Sequence, residues 1–242
     1  MATARQRIWG WYFFDWASQP YNTLLLTFIF GPYFAEIARG YYMGTGMGEE
    51  QAKAAAQAYW GFGLTIASVI IAVLAPVLGA IADGTGRRLL WIWIFSAFYV
   101  VGAYALWWVM PGGEAGMLVW AVAFFGLGFI GMEFTTIFTN ALMPTLSDHD
   151  DIGAISGSGF AFGYLGGLVA LVVMLALFQE TAITGKTLIG LDPIFGLDAE
   201  SREGTRAVGP LTAIWYVVFM IPFFVWVKEP KTHHQPIRIK AA

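Results

Sequence analysis

Residues 11–30 read WYFFDWASQPYNTLLLTFIF. The run is long and apolar, yet it carries Asp15, Gln19, Pro20 and Asn22. In hydrocarbon an ionised carboxylate at a helix centre costs at least ~2.5 kcal/mol on insertion scales. The fold therefore turns on which solvent surrounds this run, and the rest of the chain answers. Of its 242 residues, 58% are hydrophobic and only 12% are charged, with a mean hydropathy of +0.64. Soluble domains carry about 25% charged residues. A chain this size cannot bury so much apolar surface in itself, so lipid is the solvent for much of it. Aromatic residues reach 17%, eleven of them Trp, which suits the belts at membrane–water interfaces. With no cysteine there is no disulfide framework and no thiolate chemistry.

A bilayer-crossing helix needs roughly 20 mostly apolar residues. Six stretches meet this, at 8–37, 58–82, 89–109, 116–143, 155–178 and 207–227. The first is too long for a signal-peptide core and is read as a retained span. The expectation is an all-α membrane protein, a single bundle of six transmembrane helices. Loop charges set its orientation. Arg5, Arg7, Arg87, Arg88, Lys228, Lys231, Arg238 and Lys240 fall on one side, which predicts that both termini and the basic tail 228–242 are cytoplasmic. Arg39, Lys53, Lys186, Arg202 and Arg206 fall on the other, diluted by acids in two long loops at about 38–57 and 179–206. In the second loop, GLDAESREGTR (196–206) predicts a short helix capped by Asp198.

On a helical wheel Asp15, Ser18, Gln19 and Asn22 stand at i, i+3, i+4 and i+7, one face of the first span. Asp15 lies about 10 Å inside it at 1.5 Å per residue. Pro20 cannot donate to the carbonyl of Trp16, so a freed carbonyl or kink is expected beside the polar face. The fourth span repeats the device in GFIGMEFTTIFTNALMP (128–144), where Glu133, Thr136 and Asn140 share a face. Asp15 and Asn22 are seven apart, and so are Glu133 and Asn140; three spans separate the copies, as in a 3+3 inverted repeat. These acids either handle a proton or substrate, or are structural groups bonded to a neighbouring helix. In GAISGSGFAFGYLGGL (153–168), Gly153, Gly157, Gly159, Gly163 and Gly167 form small-xxx-small pairs. Such pairs admit another helix backbone, or a substrate, at close range.

Between the second and third spans comes GAIADGTGRRLL (79–90). A basic turn would satisfy topology alone. Gly79, Asp83, Gly86, Arg87 and Arg88 do more: their spacing resembles the signature loop of the major facilitator superfamily, G-x-x-x-D-x-x-G-R-R/K. Residues 15–34, this loop, 140–168 and 209–230 together resemble the bacterial relatives of the autophagy-related vacuolar amino-acid effluxers. The resemblance implies half of a major-facilitator fold and a secondary transporter for amino acids or other small metabolites, proton coupling included. It implies a bacterial cytoplasmic membrane, with Asp15, Gln19, Asn22, Glu133 and Asn140 on the substrate or proton pathway and residues 79–88 as a cytoplasmic gating loop. The sequence departs from the family in PTLSDHDDIG (144–153), where Asp148, Asp150 and Asp151 stand in place of a basic residue, with His149 the one titratable base. This leaves Asp83 without its usual partner and predicts that the acidic loop faces Arg87 and Arg88. Only one six-helix half is present. A fragment, a separately encoded second half or a homodimer would each account for it. The alternative is a non-transporting scaffold or assembly factor in a larger membrane complex.

Other chemistries find no support. There is no GxxxxGK[ST] loop for ATP, and no enzyme motif. The three histidines, His149, His233 and His234, have no metal-site spacing, so neither a metal nor a cofactor is expected. The tail basics Lys228, Lys231, Arg238 and Lys240 point to anionic lipid headgroups rather than nucleic acid.

Overall fold

A computed structural model describes residues 2–146, 152–181 and 183–229. Helix α1 (Ala4–Pro20) starts at a capping box, in which the Thr3 hydroxyl accepts from the Gln6 amide and the Gln6 side chain accepts from the Thr3 amide. After Pro20 the backbone widens into a π-helical segment, Tyr21–Phe28, that closes with the Ile29 amide donating five residues back to Leu24 at 2.9 Å. Ile29 breaks the rod, and α2 (Phe30–Gly44) follows. Pro32 lies in its first turn, where a missing N–H costs no helical bond.

Only 45–48 separate α2 from α3 (Glu49–Thr85), so the long outer loop expected at 38–57 is mostly helix. Hydropathy misses it because EEQAKAAAQ is polar. Its alanines are strong helix formers, Glu49 and Glu50 sit favourably in the first turn, and Lys53 pairs with both, at 3.2 and 2.9 Å. Helices α4 (Arg88–Ala105), α5 (Ala115–Asn140) and α6 (Ile152–Val173) come next, and a π turn at Met174–Phe178 ends α6. The second outer loop leads to α7 (Glu203–Arg206) and α8 (Val208–Trp226).

The helix expected from Asp198 begins five residues later. Arg202 is left-handed (φ 55°), which an α-helix cannot accept, so Asp198 closes a turn instead. The Ser201 hydroxyl, with the Glu200 and Ser201 amides, holds the Asp198 carboxyl below the usual carboxylate range. The acidic loop (Asp148, His149, Asp150, Asp151) and the tail from residue 230, with Lys231, His233, His234, Arg238 and Lys240, lie outside the described residues.

Five stretches are long and apolar enough to cross a membrane: Glu49–Thr85, Arg88–Trp108, Ala115–Thr145, Ile152–Phe178 and Glu203–Trp226. The first apolar run is divided among α1, the π segment and α2. Helix α1 packs on α6 and α8, α5 on α3 and α4, and α4 on α8. These pairings are unchanged when α1, α3 and α4 are exchanged for α5, α6 and α8. The packing of α2 on α3 has no such counterpart.

Aromatic rings fill the interior. Phe30 and Trp60 meet Phe125 at 6.1 and 4.5 Å, Phe95 stacks on Phe134 at 4.5 Å, and Tyr99 stacks on Tyr216 at 3.9 Å. Helix α3 is the exception. Only 6% of its most apolar window is buried, against 28–44% in the other four stretches. Over 68–81 it presents apolar side chains on nearly every side.

Candidate functional site

The Pro20 expectation is met. The Trp16 carbonyl accepts the indole N–H of Trp215 on α8 at 3.1 Å, and the Ser18 carbonyl accepts from the Tyr99 hydroxyl on α4 at 3.4 Å. Substituting Trp215→Phe leaves the Trp16 carbonyl unpaired. It is expected to cost about 1–3 kcal/mol in thermal unfolding in detergent.

The polar face of α1 and the glycines of α6 are two sides of one seam. A Cβ on Gly159 would lie 3.0 Å from Asp15 Oδ2, and one on Gly163 would lie 2.9 Å from Asp15 Cβ. One on Gly167 would lie 2.9 Å from Gln19 Cγ and 2.5 Å from Thr23 Oγ1. Gly166 makes the same room for Trp16. Only glycine lets Asp15 sit flush on the α6 backbone. Gly153 and Gly157, expected in the same packing stripe, are exposed, and a Cβ on either meets nothing among the described residues.

Asp15, Gln19, Asn22 and Glu133 are all half-buried, while Asn140 is exposed as the last residue of α5. Two cross-links set the register of α1 against α5. The Trp11 indole donates to the Thr139 carbonyl at 3.3 Å, and the Tyr21 hydroxyl donates to Phe125 at 2.6 Å. The helices are antiparallel, so Asp15 is level with the turn of α5 around residue 134, which carries Glu133. Among the described residues neither carboxylate has an ion-pair partner.

At the end holding α1's start, the 79–88 loop closes on itself. Gly86 is left-handed (φ 63°) and its amide bonds the Ala82 carbonyl at 2.9 Å. Arg88 donates to Asp83 Oδ1 from both Nε (3.0 Å) and Nη2 (2.6 Å), so Asp83 finds its cation within its own loop. Arg88 is turned onto Asp83, while the acidic loop expected to face Arg87 and Arg88 lies outside the described residues. Arg87 is exposed, and Gly79 borders open space. Glu229, after α8, accepts from the Leu89 amide at 3.1 Å and ties the loop to the end of the bundle.

The opposite end holds a charge cluster that sequence reading counted only as loop charge. Glu180 is 3% exposed. It accepts from Arg202 Nε at 2.8 Å, the Thr205 amide at 3.0 Å and the Thr205 hydroxyl at 2.6 Å. Arg202 also reaches Glu36 of α2 at 2.8 Å and lies over the Tyr33 ring. Arg206 is buried, donating to the Trp107 carbonyl at 2.8 Å and to Ser201 at 3.2 Å. A faint signal was present in the sequence, an acid directly after an apolar run with two arginines before the next. The αL turn that joins them was not.

Among the described residues no group of acidic or histidine side chains is arranged to hold a metal. The chain is similar to the uncharacterized MFS-type transporter YxiO of Bacillus subtilis (strain 168), at 25% identity over 222 residues, which is 91% of this chain and 46% of that relative. The chain thus spans about half the length of the curated relative it matches. No solved structure matches it. The family model described as MFS/sugar transport protein matches residues 23–239. Together with the signature loop and the apolar helices, that match shows that the chain is a multi-pass membrane protein belonging to the MFS/sugar transport protein family.

Proposed function

We propose that the chain is one half of a secondary transporter that moves a small metabolite, amino acids included, by alternating access. One observation carries this reading. Two carboxylates, Asp15 and Glu133, lie level on α1 and α5, half-buried in an apolar bundle, and neither has a cation among the described residues. In such a place a carboxylate must take a proton or face a cationic group. A proton or a substrate amine serves that role, exchanged as access alternates, with Gln19 and Asn22 beside Asp15 and Asn140 near the end of α5. We read α1, the π segment and α2 as one further span, first in chain order and bringing the total to six, with both termini cytoplasmic in a bacterial inner membrane. The exchangeable helix pairings support a 3+3 inverted repeat. The bare apolar face of α3, and a relative about twice as long, support a second six-helix half, supplied by a separate chain, a second copy or further sequence. On this reading the 79–88 loop gates the cytoplasmic side. Nothing favours the scaffold alternative.

The test is the mass of the tagged particle in nanodiscs, followed by solute flux across vesicles under a pH gradient. A second six-helix partner or copy is expected. Asp15→Asn is expected to insert normally and lose the dependence of flux on the pH gradient. Wild-type coupling in that variant would make Asp15 structural.

A further inference from the structure

The geometry points to a separate binding site, a groove at the start of α1 that holds one anionic phospholipid. The groove has a volume of about 320 Å³ and is lined by Thr3, Arg5, Gln6, Trp9, Phe13 and Trp226. Arg5, Trp9 and Phe13 stand at i, i+4 and i+8, one stripe of α1. Polarity falls along it, from a guanidinium to an indole to a phenyl ring.

Below Phe13 the stripe continues as an aromatic track shared with α6 and α8. Phe13 meets Phe162 at 5.7 Å and stacks on Phe219 at 6.4 Å. Trp16 meets Phe162 at 4.7 Å and Trp215 at 6.0 Å. From Arg5 to Trp16 the track is about 16 Å long at 1.5 Å per residue. That is about half of a ~30 Å hydrocarbon core, one leaflet and one acyl chain. The occupant this gradient fits is an amphiphile with its head at Arg5 and a tail along the rings.

Charge selects the head. Arg5 is exposed and makes no ion pair among the described residues, and its planar fork matches a phosphate. Among the described residues no acid lines the groove, and Glu229, just past Trp226, is engaged by the Leu89 amide. Lys228 follows Trp226 and adds a second positive charge at this end. A net positive rim favours an anionic head over a zwitterionic one. A partner helix in the groove would instead set apolar side chains against Arg5.

Native mass spectrometry of the full chain in mild detergent tests this, with dioleoyl phosphatidylglycerol and dioleoyl phosphatidylcholine as probes. The wild type is expected to retain one phosphatidylglycerol and to prefer it to phosphatidylcholine. Arg5→Gln should bind it about fivefold more weakly, the effect of one basic residue at an anionic surface. Arg5→Lys should keep most of the binding, and Arg39→Gln at the opposite end should change nothing. An unchanged elution profile and thermal midpoint certify each variant as folded. Equal retention of the two lipids, or wild-type retention by Arg5→Gln, overturns the site. So does displacement of the lipid by inorganic phosphate alone, which would make the groove a simple anion site.

Discussion

Replacing Glu180 with alanine is expected to destabilise the protein by about 3–5 kcal/mol, the usual result of removing one partner of a buried ion pair. Glu180 Oε1 takes the Arg202 guanidinium and the Thr205 hydroxyl, and Oε2 takes the Thr205 amide. Alanine leaves all three donors without an acceptor, two of them on the fully buried Thr205. The site is shielded from bulk water, since Glu180 itself is only 3% exposed. Glu180→Gln keeps an acceptor oxygen and is expected to lose less.

Arg202 offers a cleaner contrast, because it bears both the ion pair and a left-handed backbone (φ 55°). Arg202→Ala loses the pair and keeps the strain. Arg202→Gly loses the pair and relieves about 1 kcal/mol of it, so glycine should be the milder substitution. Thermal or denaturant unfolding in detergent, followed by tryptophan fluorescence, reads both comparisons. A Glu180→Ala protein within about 0.5 kcal/mol of wild type, the range of ordinary surface changes, would show that the cluster is not holding the outer loop to α7.

The second large effect is expected in the seam between α4 and α5, which sequence reading passed over. A Cβ on Gly102 would lie 2.5 Å from Gly128 Cα and 2.6 Å from the Phe124 carbonyl. A Cβ on Gly131 would lie 2.6 Å from the Phe95 carbonyl and strike the Tyr99 amide. These neighbours are backbone and cannot rotate away, so α4 and α5 must separate. Overpacking of this kind costs typically 1–3 kcal/mol and sometimes more. Gly102→Ala and Gly131→Ala are therefore expected to fall at or above that range, since the separation also disturbs the buried stack of Tyr99 on Tyr216. Gly157→Ala, on an exposed face with nothing near it among the described residues, should be neutral or stabilising by up to about 1 kcal/mol. Equal thermal midpoints for all three variants would refute the seam.

Much of the site could be read from the order of residues. Asp15 and Glu133 stand out because carboxylates are costly in apolar runs, and that cost is local. The freed Trp16 carbonyl follows from the covalent geometry of Pro20, four residues on. The signature loop is likewise a local device, in which Gly86 takes the positive φ and Arg88 reaches Asp83 five residues back. Glycine spacing in α6 announced a close approach but not its partner. Gly159, Gly163 and Gly167 find α1, whereas Gly153 and Gly157 share the spacing and face outward. Spacing defines a helix face, and only packing decides what that face meets.

By itself the sequence determined a lipid-solvated helical bundle, the positions of its apolar runs and the two acids deep inside them, Asp15 and Glu133. Those features follow from solvent transfer and from the helical period, which act over a few turns. Tertiary structure decided the rest. It divided the first run into α1, a π segment and α2, set Asp15 on the α6 glycines, and brought Asp15 level with the turn of Glu133. It also joined Glu36, Glu180 and Arg202 into one cluster. The last three rest on contacts between residues well separated in the chain, whose energies depend on distance and burial after folding.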